Sequence, residues 1–233
     1  MTTVFRRCLL ANYAIAPDAL AAVLPQPLVP DLAADSAWLS VVIADMARMR
    51  PAGIPASLGV SYRQVVYRAV VRCGRDRGVY FLRSDADSRF MNAGGNLLSF
   101  FRFHYAPVTW THDVDGDRVR VLSRSGSADI DMVLGPAAPA GPAAVGAFPG
   151  LAGAKEHLVN LFSAFHPRDG HIDVVDIERS DWPITITPAV RAHCAFLEGA
   201  GPFPTGASHL DSVFLVTDLP YYWHRLRTVP MSV

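Results

Sequence analysis

Apolar residues in long runs and in alternation dominate the first half of the chain, and this pattern predicts β-strands. Phe5–Tyr13 and Trp38–Met46 are rich in strand-forming residues, and the second run is apolar on both faces at its centre. Val60–Cys73 is the longest predicted strand, and Val79–Leu82 returns after the turn Gly74–Gly78, which has glycine at both ends. The chain therefore begins with hairpins.

Apolar residues at helical spacing predict three helices. Ala16–Leu24 is the first, and its first turn holds a proline and an aspartate, both suited to a helix N-terminus. The second begins after the capping pair Asp87-Ser88 and runs to about His104. Lys155–Phe165 is the third, with its leucines and phenylalanines on one face.

The remaining segments add loops and strands to this sheet. Arg48–Leu58 and Pro136–Pro149 are rich in proline, glycine and alanine and are predicted to be loops. Strand hairpins dominate, without strand–helix–strand alternation or a glycine-rich phosphate loop, so the pattern favours an α+β fold on a large antiparallel sheet. The length favours one domain over residues 1–233. Further predicted strands are Val119–Leu122, Asp129–Leu134, Ile172–Ile177, Ile184–Ile186 and Ser212–Val216.

Composition and charge argue against several classes of protein. With 51% hydrophobic and 18% charged residues, the chain can bury a core, which argues against global disorder. Its formal net charge is zero, and its dense basic run, Arg72–Arg83, straddles the predicted turn, so no nucleic-acid partner is expected. The apolar run Cys8–Ala11 is too short for a signal peptide or a membrane span, so no membrane partner is expected either.

The cysteines and acidic residues do not form a recognisable metal site. Cys8, Cys73 and Cys194 lie far apart and lack the spacing of zinc ligands or of a disulfide framework, so reduced thiols in a cytoplasmic protein are expected. Asp113–Asp117 carries aspartates at a calcium-loop spacing, but the glycine and glutamate that such a loop requires are missing. A hairpin turn is predicted there, and neither a metal nor a cofactor is expected.

Several phrases then occur in a distinctive order. They are Asn12-Tyr13 followed by Pro17–Leu20, Tyr62–Arg68, Gly78–Leu82 followed by Asp85–Arg89, and Ser180–Ile184. From about Phe5 to Phe196, their order and spacing resemble an uncharacterised bacterial family related to acetoacetate decarboxylase. The resemblance implies an acetoacetate decarboxylase-like α+β fold, a cone- or barrel-like antiparallel sheet around an internal cavity with flanking helices.

The catalytic lysines of the decarboxylase branch are missing from this chain. In that branch the helix after the central hairpin ends in adjacent lysines, one of which forms a Schiff base while its neighbour lowers its pKa. The matching positions here are Phe103 and His104, and the only lysine of the chain is Lys155. Arginine cannot replace a primary amine in imine chemistry, so we reject Schiff-base decarboxylation.

Other positions also depart from the pattern of the related uncharacterised proteins. Those proteins usually have glutamate where Gln64 stands, a Glu-Arg-Tyr phrase at Leu161–Ala164 and histidine at the position of Ser180. The rest of the family's site is therefore expected to have changed its function or lost it.

Alternation along the long strand places Tyr62, Gln64 and Arg68 on one face. If this face lines the cavity, Arg68 can orient a substrate carboxylate through a bidentate hydrogen bond, with the other two as substrate-binding residues. The alternative is that Arg68 pairs with a structural carboxylate such as Asp45 or Asp85. Both interpretations of Arg68 are left open, as is the choice of face.

His104 is the predicted acid/base residue, because histidine transfers protons near neutral pH. The alternative is a histidine at a helix C-terminus that interacts with free carbonyl groups. Phe103 and Arg102 beside it are candidate substrate-binding residues, although a solvent-exposed position is the preferred alternative for Arg102. The aromatic segment Leu219–Arg225 either stacks on a ligand or partner or ties down the sheet.

Two functions follow from these predictions. The first is a small-molecule enzyme of lyase or isomerase type, in which Arg68 orients a carbonyl or carboxylate compound and His104 moves a proton in an isomerisation, dehydration or cyclisation. The second is a protein that binds a small ligand in the same cavity without turnover. The related decarboxylases assemble as oligomers, so homo-oligomerisation is left open.

Overall fold

The computed structural model describes residues 1–92, 102–139, 145–168, 170–179 and 181–230. The described helices are short. They are α1 (Pro17–Ala21), a 3₁₀ turn (Ala56–Leu58), α2 (described over residues 89–92), α3 (Leu151–Ala154) with a π-helical continuation (Lys155–Val159), and a 3₁₀ turn (Ala195–Leu197).

Strands make up most of the described chain. They are β1 (Thr2–Ile15), β2 (Val29–Pro30), β3 (Ala37–Arg50), β4 (Val60–Cys73), β5 (Asp76–Ala86), β6 (Phe103–Tyr105), β7 (Val108–Asp113), β8 (Gly116–Val121), β9 (Ile130–Leu134), β10 (Ala138–Pro139), β11 (Ser163–Arg168), β12 (His171–Arg179), β13 (Thr185–Ile186), β14 (Ala189–Cys194) and β15 (Ser208–Pro230).

The larger sheet closes on itself. Antiparallel pairing joins β15, β1, β3, β4 and β5 in that order, and β11 and β12 lead back to β15. A short parallel contact between Val79 of β5 and Ala164 of β11 completes the ring. The prediction of a large, mostly antiparallel sheet is confirmed. Two of its pairings, β5 with β11 and β5 with β6, are parallel.

Two glycines account for the central hairpin and for the closure. Gly74 forms the turn with a φ of +60°, a conformation that costs glycine little. Gly78 lies inside β5, where a Cβ atom would approach the carbonyl oxygen of Ser163 and the ring of Phe165 far inside contact distance. The missing side chain therefore lets β11 lie against β5.

In each strand of the closed sheet, alternate residues point to opposite faces, and the two faces contribute to two different cores. On β4, Val65 and Tyr67 belong to an outer core that the second sheet covers, in the strand order β14-β9-β8-β7. Tyr67 donates a 3.0 Å hydrogen bond to the carbonyl oxygen of Ala128 and packs against Phe196. The neighbouring residues Tyr62 and Val70 face the inner core. The two sheets thus hold β4 in one orientation.

The prediction of the second helix is wrong at the C-terminal end of that helix. α2 begins at Arg89, but Phe103–Tyr105 form β6, which pairs in parallel with Ser84–Ala86 of β5. The backbone groups of β6 gain partners on β5, and this pairing outweighs the helical spacing of the apolar residues. Residues 93–101, the middle of the predicted helix, lie outside the described residues.

The predicted third helix is displaced toward the N-terminus. Leu151–Val159, here called the inner helix, packs its Ala154, Leu158 and Val159 into the inner core. Leu161 and Phe162 are irregular, and Phe165 belongs to β11, which pairs with β12. Long-range strand pairing again overrides local spacing.

The C-terminal aromatic segment ties down the sheet, as the simpler alternative predicted. It lies within β15, which pairs with β1 on one side and with β12 and β13 on the other. The hairpin predicted at Asp113–Asp117 is confirmed between β7 and β8. None of the described helices is long and apolar enough to cross a membrane.

Gly78→Ala tests the closure of the ring. We expect the new methyl group to lower the free energy of unfolding by about 2–3 kcal/mol, because it overpacks the contact with Ser163. Gly153→Ala in the inner helix is the matched control, since its Cβ meets no atom closer than 3.9 Å. The control should be neutral or slightly stabilising. Urea unfolding of both variants measures the difference, and equal effects would contradict this role of Gly78.

Candidate ligand-binding site

A cavity of about 620 Å³ lies inside the ring. Its lining comes from β1, β3, β4, β5, β12 and β15, strands that surround the interior. Arg68 on β4 lies close enough to Cys8 on β1 and Tyr221 on β15 to interact with them electrostatically. Side chains this far apart in the strand order meet only on the concave side of the sheet, so the cavity lies on that side.

The face of β4 that lines the cavity is the one that carries the predicted site residues. Tyr62, Gln64, Val66 and Arg68 all line it, while Arg63 points outward and donates to the carbonyl oxygen of Val108. The structure therefore brings Tyr62, Gln64 and Arg68, which the period-two alternation placed on one face, to one wall of the cavity.

Arg68 is buried without a counter-charge. Its Nη2 donates a 2.7 Å hydrogen bond to the carbonyl oxygen of Leu158, and its buried Nε has no partner. No carboxylate of the described residues pairs with it. The predicted alternative partners are wrong, because Asp45 lies 3.5 Å from Arg6 and Asp85 binds Arg83 at 2.8 Å.

A second arginine lies beside the first. Arg179, at the end of β12, donates to the carbonyl oxygen of Val159 and lies over the rings of Phe162 and Trp182 at 5.0 and 4.8 Å. Burial lowers the pKa of Arg68, and burial together with the charge of Arg68 lowers the pKa of Arg179 to about 10. Both guanidinium groups thus meet carbonyl groups at the end of the inner helix.

Tyr62 and Gln64 form a polar pair on the same wall. The Tyr62 hydroxyl donates to Gln64 Oε1 at 3.3 Å, and burial raises the pKa of Tyr62, so the hydroxyl stays protonated. This bond leaves the amide N–H groups of Gln64 available as donors. Arg68 likewise has donors only, so this wall is built to meet hydrogen-bond acceptors.

The structure separates Phe103 from His104. Phe103 lines the cavity, whereas His104 lies in an exposed groove with Arg83, Arg89 and Tyr105. Successive side chains of a strand point to opposite faces, and these two residues lie on β6. His104 Nδ1 is 3.2 Å from the carbonyl oxygen of Ser84 and 3.8 Å from Asp85 Oδ1.

His104 and Arg68 are therefore not brought to one ligand. The helix C-terminus that served as the alternative explanation of His104 is also absent, because the residue lies in β6. Arg102 is exposed and is not among the described residues that line the cavity. The joint proton-transfer mechanism has no support from this geometry.

The only lysine lies outside the cavity lining. Lys155 Nζ donates to Asp181 Oδ1 at 2.7 Å and to the carbonyl oxygen of Trp182 at 3.2 Å. Its side chain is 19% exposed, and its partner Asp181 is 79% exposed, so this ion pair lies at the surface. The residue at the family histidine position, Ser180, lies outside the described residues.

Several lining residues were missed by the sequence analysis. Trp182, Tyr221 and Trp223 reach the cavity from segments far along the chain. The aromatic C-terminal segment was noted as a candidate for ligand stacking, which was the available signal for two of them. Arg179 carried no signal, because its proximity to Arg68 arises from strand pairing alone.

A buried histidine supports the inner helix. His157 Nδ1 lies 3.0 Å from Arg77 Nη2, and its Nε2 is buried without a partner. Burial lowers the pKa of His157, and Asp31, 3.8 Å away, offsets only part of this shift. Burial by itself raises the pKa of Asp31, but hydrogen bonds from Arg72 and Arg77 at 2.6 Å hold it below its usual value.

Comparisons with known proteins agree with this geometry. Residues 2–218 match DUF2071, a family described as an uncharacterized conserved protein. The chain belongs to this family. No curated protein matches its sequence. The predicted acetoacetate decarboxylase-like fold is confirmed by solved structures.

Three of these solved structures show how similar their folds are to that of this chain. Enduracididine biosynthesis enzyme MppR complexed with pyruvate is 12% identical, with a TM-score of 0.65 over 99% of this chain and 90% of MppR. Acetoacetate decarboxylase from Legionella pneumophila is 15% identical, with a TM-score of 0.65 over 97% and 86%. An acetoacetate decarboxylase-like enzyme from Sphingomonas wittichii RW1 is 12% identical, with a TM-score of 0.64 over 99% and 93%. At these identities the likeness establishes the fold alone.

Acid should destabilise the DUF2071 protein through His157. Its pKa is lowered in the folded state, so the unfolded chain binds more protons once the pH falls below the unfolded value of about 6.5. The free energy of unfolding should therefore decrease from pH 7 to pH 5. His157→Gln should weaken this dependence. Urea unfolding across this pH range measures both, and identical slopes in wild type and His157→Gln would contradict the assignment.

Proposed function

We propose that the cavity binds a small organic carboxylate through Arg68. The observation that carries this proposal is a guanidinium group buried in the cavity wall with an Nε–H that has no acceptor. Among the residues that the structure describes, none supplies a carboxylate to it.

Burial without a counter-charge is costly, and a ligand would remove part of that cost. A buried donor without an acceptor costs about 1–3 kcal/mol, and a charged donor costs more. The carbonyl groups at the end of the inner helix carry a partial negative charge equivalent to roughly half an elementary charge, which offsets little of two guanidinium charges. A carboxylate supplies the missing charge and accepts a bidentate hydrogen bond.

The solved relatives support an anionic ligand. MppR was solved in complex with pyruvate, which is a carboxylate, and acetoacetate decarboxylase is named for a carboxylate substrate. Neither has an identity to this chain high enough to transfer its substrate. They support the chemical class of the ligand, and Arg68 supports it independently.

Catalysis is the second candidate function, favoured by the enzyme names of the structural relatives. Lys155 does not line the cavity, which supports chemistry without a covalent imine. An acid/base reaction such as isomerisation, dehydration or cyclisation would then need a proton carrier inside the cavity. The Tyr62 hydroxyl is in that position, whereas His104 is not.

Arg68→Met separates ligand binding from stability. We expect the free energy of unfolding to change by less than about 1 kcal/mol or to rise, because a buried charge is replaced by an apolar side chain of similar length. Affinity for hexanoate, measured by titration calorimetry, should fall roughly tenfold to hundredfold as the charge-assisted hydrogen bonds are lost. Hexanamide, the neutral analogue, should bind weakly to both proteins.

Two control variants sharpen this experiment. Arg120→Gln removes an exposed arginine of β8 and should leave hexanoate affinity unchanged. His104→Ala should also leave it unchanged, because His104 faces the groove outside the cavity. Equal binding of hexanoate by wild type and Arg68→Met would overturn the proposed function. A loss of binding in His104→Ala would instead restore the mechanism that pairs His104 with Arg68.

A further inference from the structure

We propose that the ligand is an aliphatic monocarboxylate of medium chain length, whose carboxylate meets Arg68 and whose chain fills the rest of the cavity. This inference rests on the proposed function and names the ligand class for the same site. It is argued from the distribution of polar and apolar groups, the shape of the cavity and the residues at its mouth.

Apolar side chains make up most of the lining. The wall of β4 carries Gln64 and Arg68, and the residues paired beside it on β3, Val42, Ala44 and Met46, offer no hydrogen-bonding side chain. A ligand with polar groups along its whole length would leave many of them without partners, at a cost for each. A single charged head group with an apolar body matches this distribution.

The cavity is long as well as apolar. Val60 and Arg68 both line it, and eight residues of extended strand separate them by roughly 26 Å. Its volume of about 620 Å³ lies in the range of small-ligand pockets and equals roughly twenty water-sized volumes. A short keto acid would occupy only the end at Arg68 and would leave apolar walls facing water.

Flexible side chains surround the predicted path of the chain. Met46, Met49 and Met91 line the cavity, and methionine adapts its shape to flexible apolar partners because its unbranched side chain rotates freely. Phe81, which is paired with Arg68, and Phe103 add further apolar surface to the lining. Such a lining suits an alkyl chain with many conformations better than a rigid ring with fixed polar groups.

The mouth of the cavity is also apolar. Leu58 and Phe90 are 71% and 70% exposed and belong to the lining, so they mark its open end. Arg50 lies there too, but its guanidinium donates to the carbonyl oxygens of Arg48 and Ile54. A ligand that leaves its apolar end at this mouth meets apolar side chains, which fixes the direction of binding with the carboxylate inside.

A chain-length series tests the inference. Straight-chain carboxylates from butyrate to tetradecanoate are titrated below their micelle concentrations, with the matching primary alcohols alongside. We expect affinity to rise roughly threefold to fourfold for each added methylene group until the chain reaches the mouth, where the rise ends. The alcohols should bind much more weakly at every length, and Arg68→Met should remove most of this difference.

A variant that fills the middle of the cavity checks the path of the chain. Ala44→Leu should leave butyrate binding unchanged and weaken dodecanoate binding at least tenfold, because Ala44 lines the cavity beside Gln64, its cross-strand partner, several residues along the wall from Arg68. Val42→Leu, on the same face of β3, is a second and smaller change of the same kind. Thermal unfolding of both variants establishes that they are folded before titration.

The outcomes separate this inference from the proposed function. Binding of carboxylates that depends on Arg68 but not on chain length would overturn the inference and leave the proposed function standing. Failure of carboxylates of every length to bind would overturn both. A chain-length dependence that alcohols share equally, or that persists unchanged in Arg68→Met, would show a cavity that does not recognise the carboxylate and would also overturn the inference.

Discussion

Closure of the larger sheet into a ring is the constraint on which the site depends. An open sheet would leave the inward face of β4 on a surface, where water would solvate Arg68 and the side chain would need no partner. The contact of β5 with β11, permitted by the absence of a side chain at Gly78, completes the enclosure. Once the strands surround a common space, every second residue of each strand faces that space.

The buried guanidinium groups of Arg68 and Arg179 indicate which ligand this interior can bind. Among the residues that the structure describes, the side chains of Arg68 and Arg179 donate to carbonyl oxygens of the inner helix, at Leu158 and Val159. A buried charge without a counter-charge weakens the folded state, and proteins retain such groups where function requires them. Stability and function are thus linked at Arg68. The folded chain leaves its guanidinium group without a counter-charge, and a bound carboxylate would supply one.

The long strand β4 shows how much of the structure a local sequence pattern can predict. Alternation along Val60–Cys73 predicted correctly that Tyr62, Gln64 and Arg68 share a face, because period two is a property of any extended strand. Phe103 and His104 show what such a pattern cannot predict. Their neighbours repeat at helical spacing, yet both residues lie in β6, where they face opposite sides. A short segment takes the structure that its partners offer, so spacing alone could not separate these two residues.

The sequence by itself determined the hairpins of the first half, the shared face of β4, the relationship to the acetoacetate decarboxylase-like fold and the presence of a single lysine. Only the tertiary structure decided that β5 meets β11, that Arg179 lies beside Arg68 and that neither Asp45 nor Asp85 neutralises Arg68. Local patterns record which way a side chain points within its own element. Which groups it then meets depends on strands distant in sequence, whose pairing is set by the packing of the whole chain.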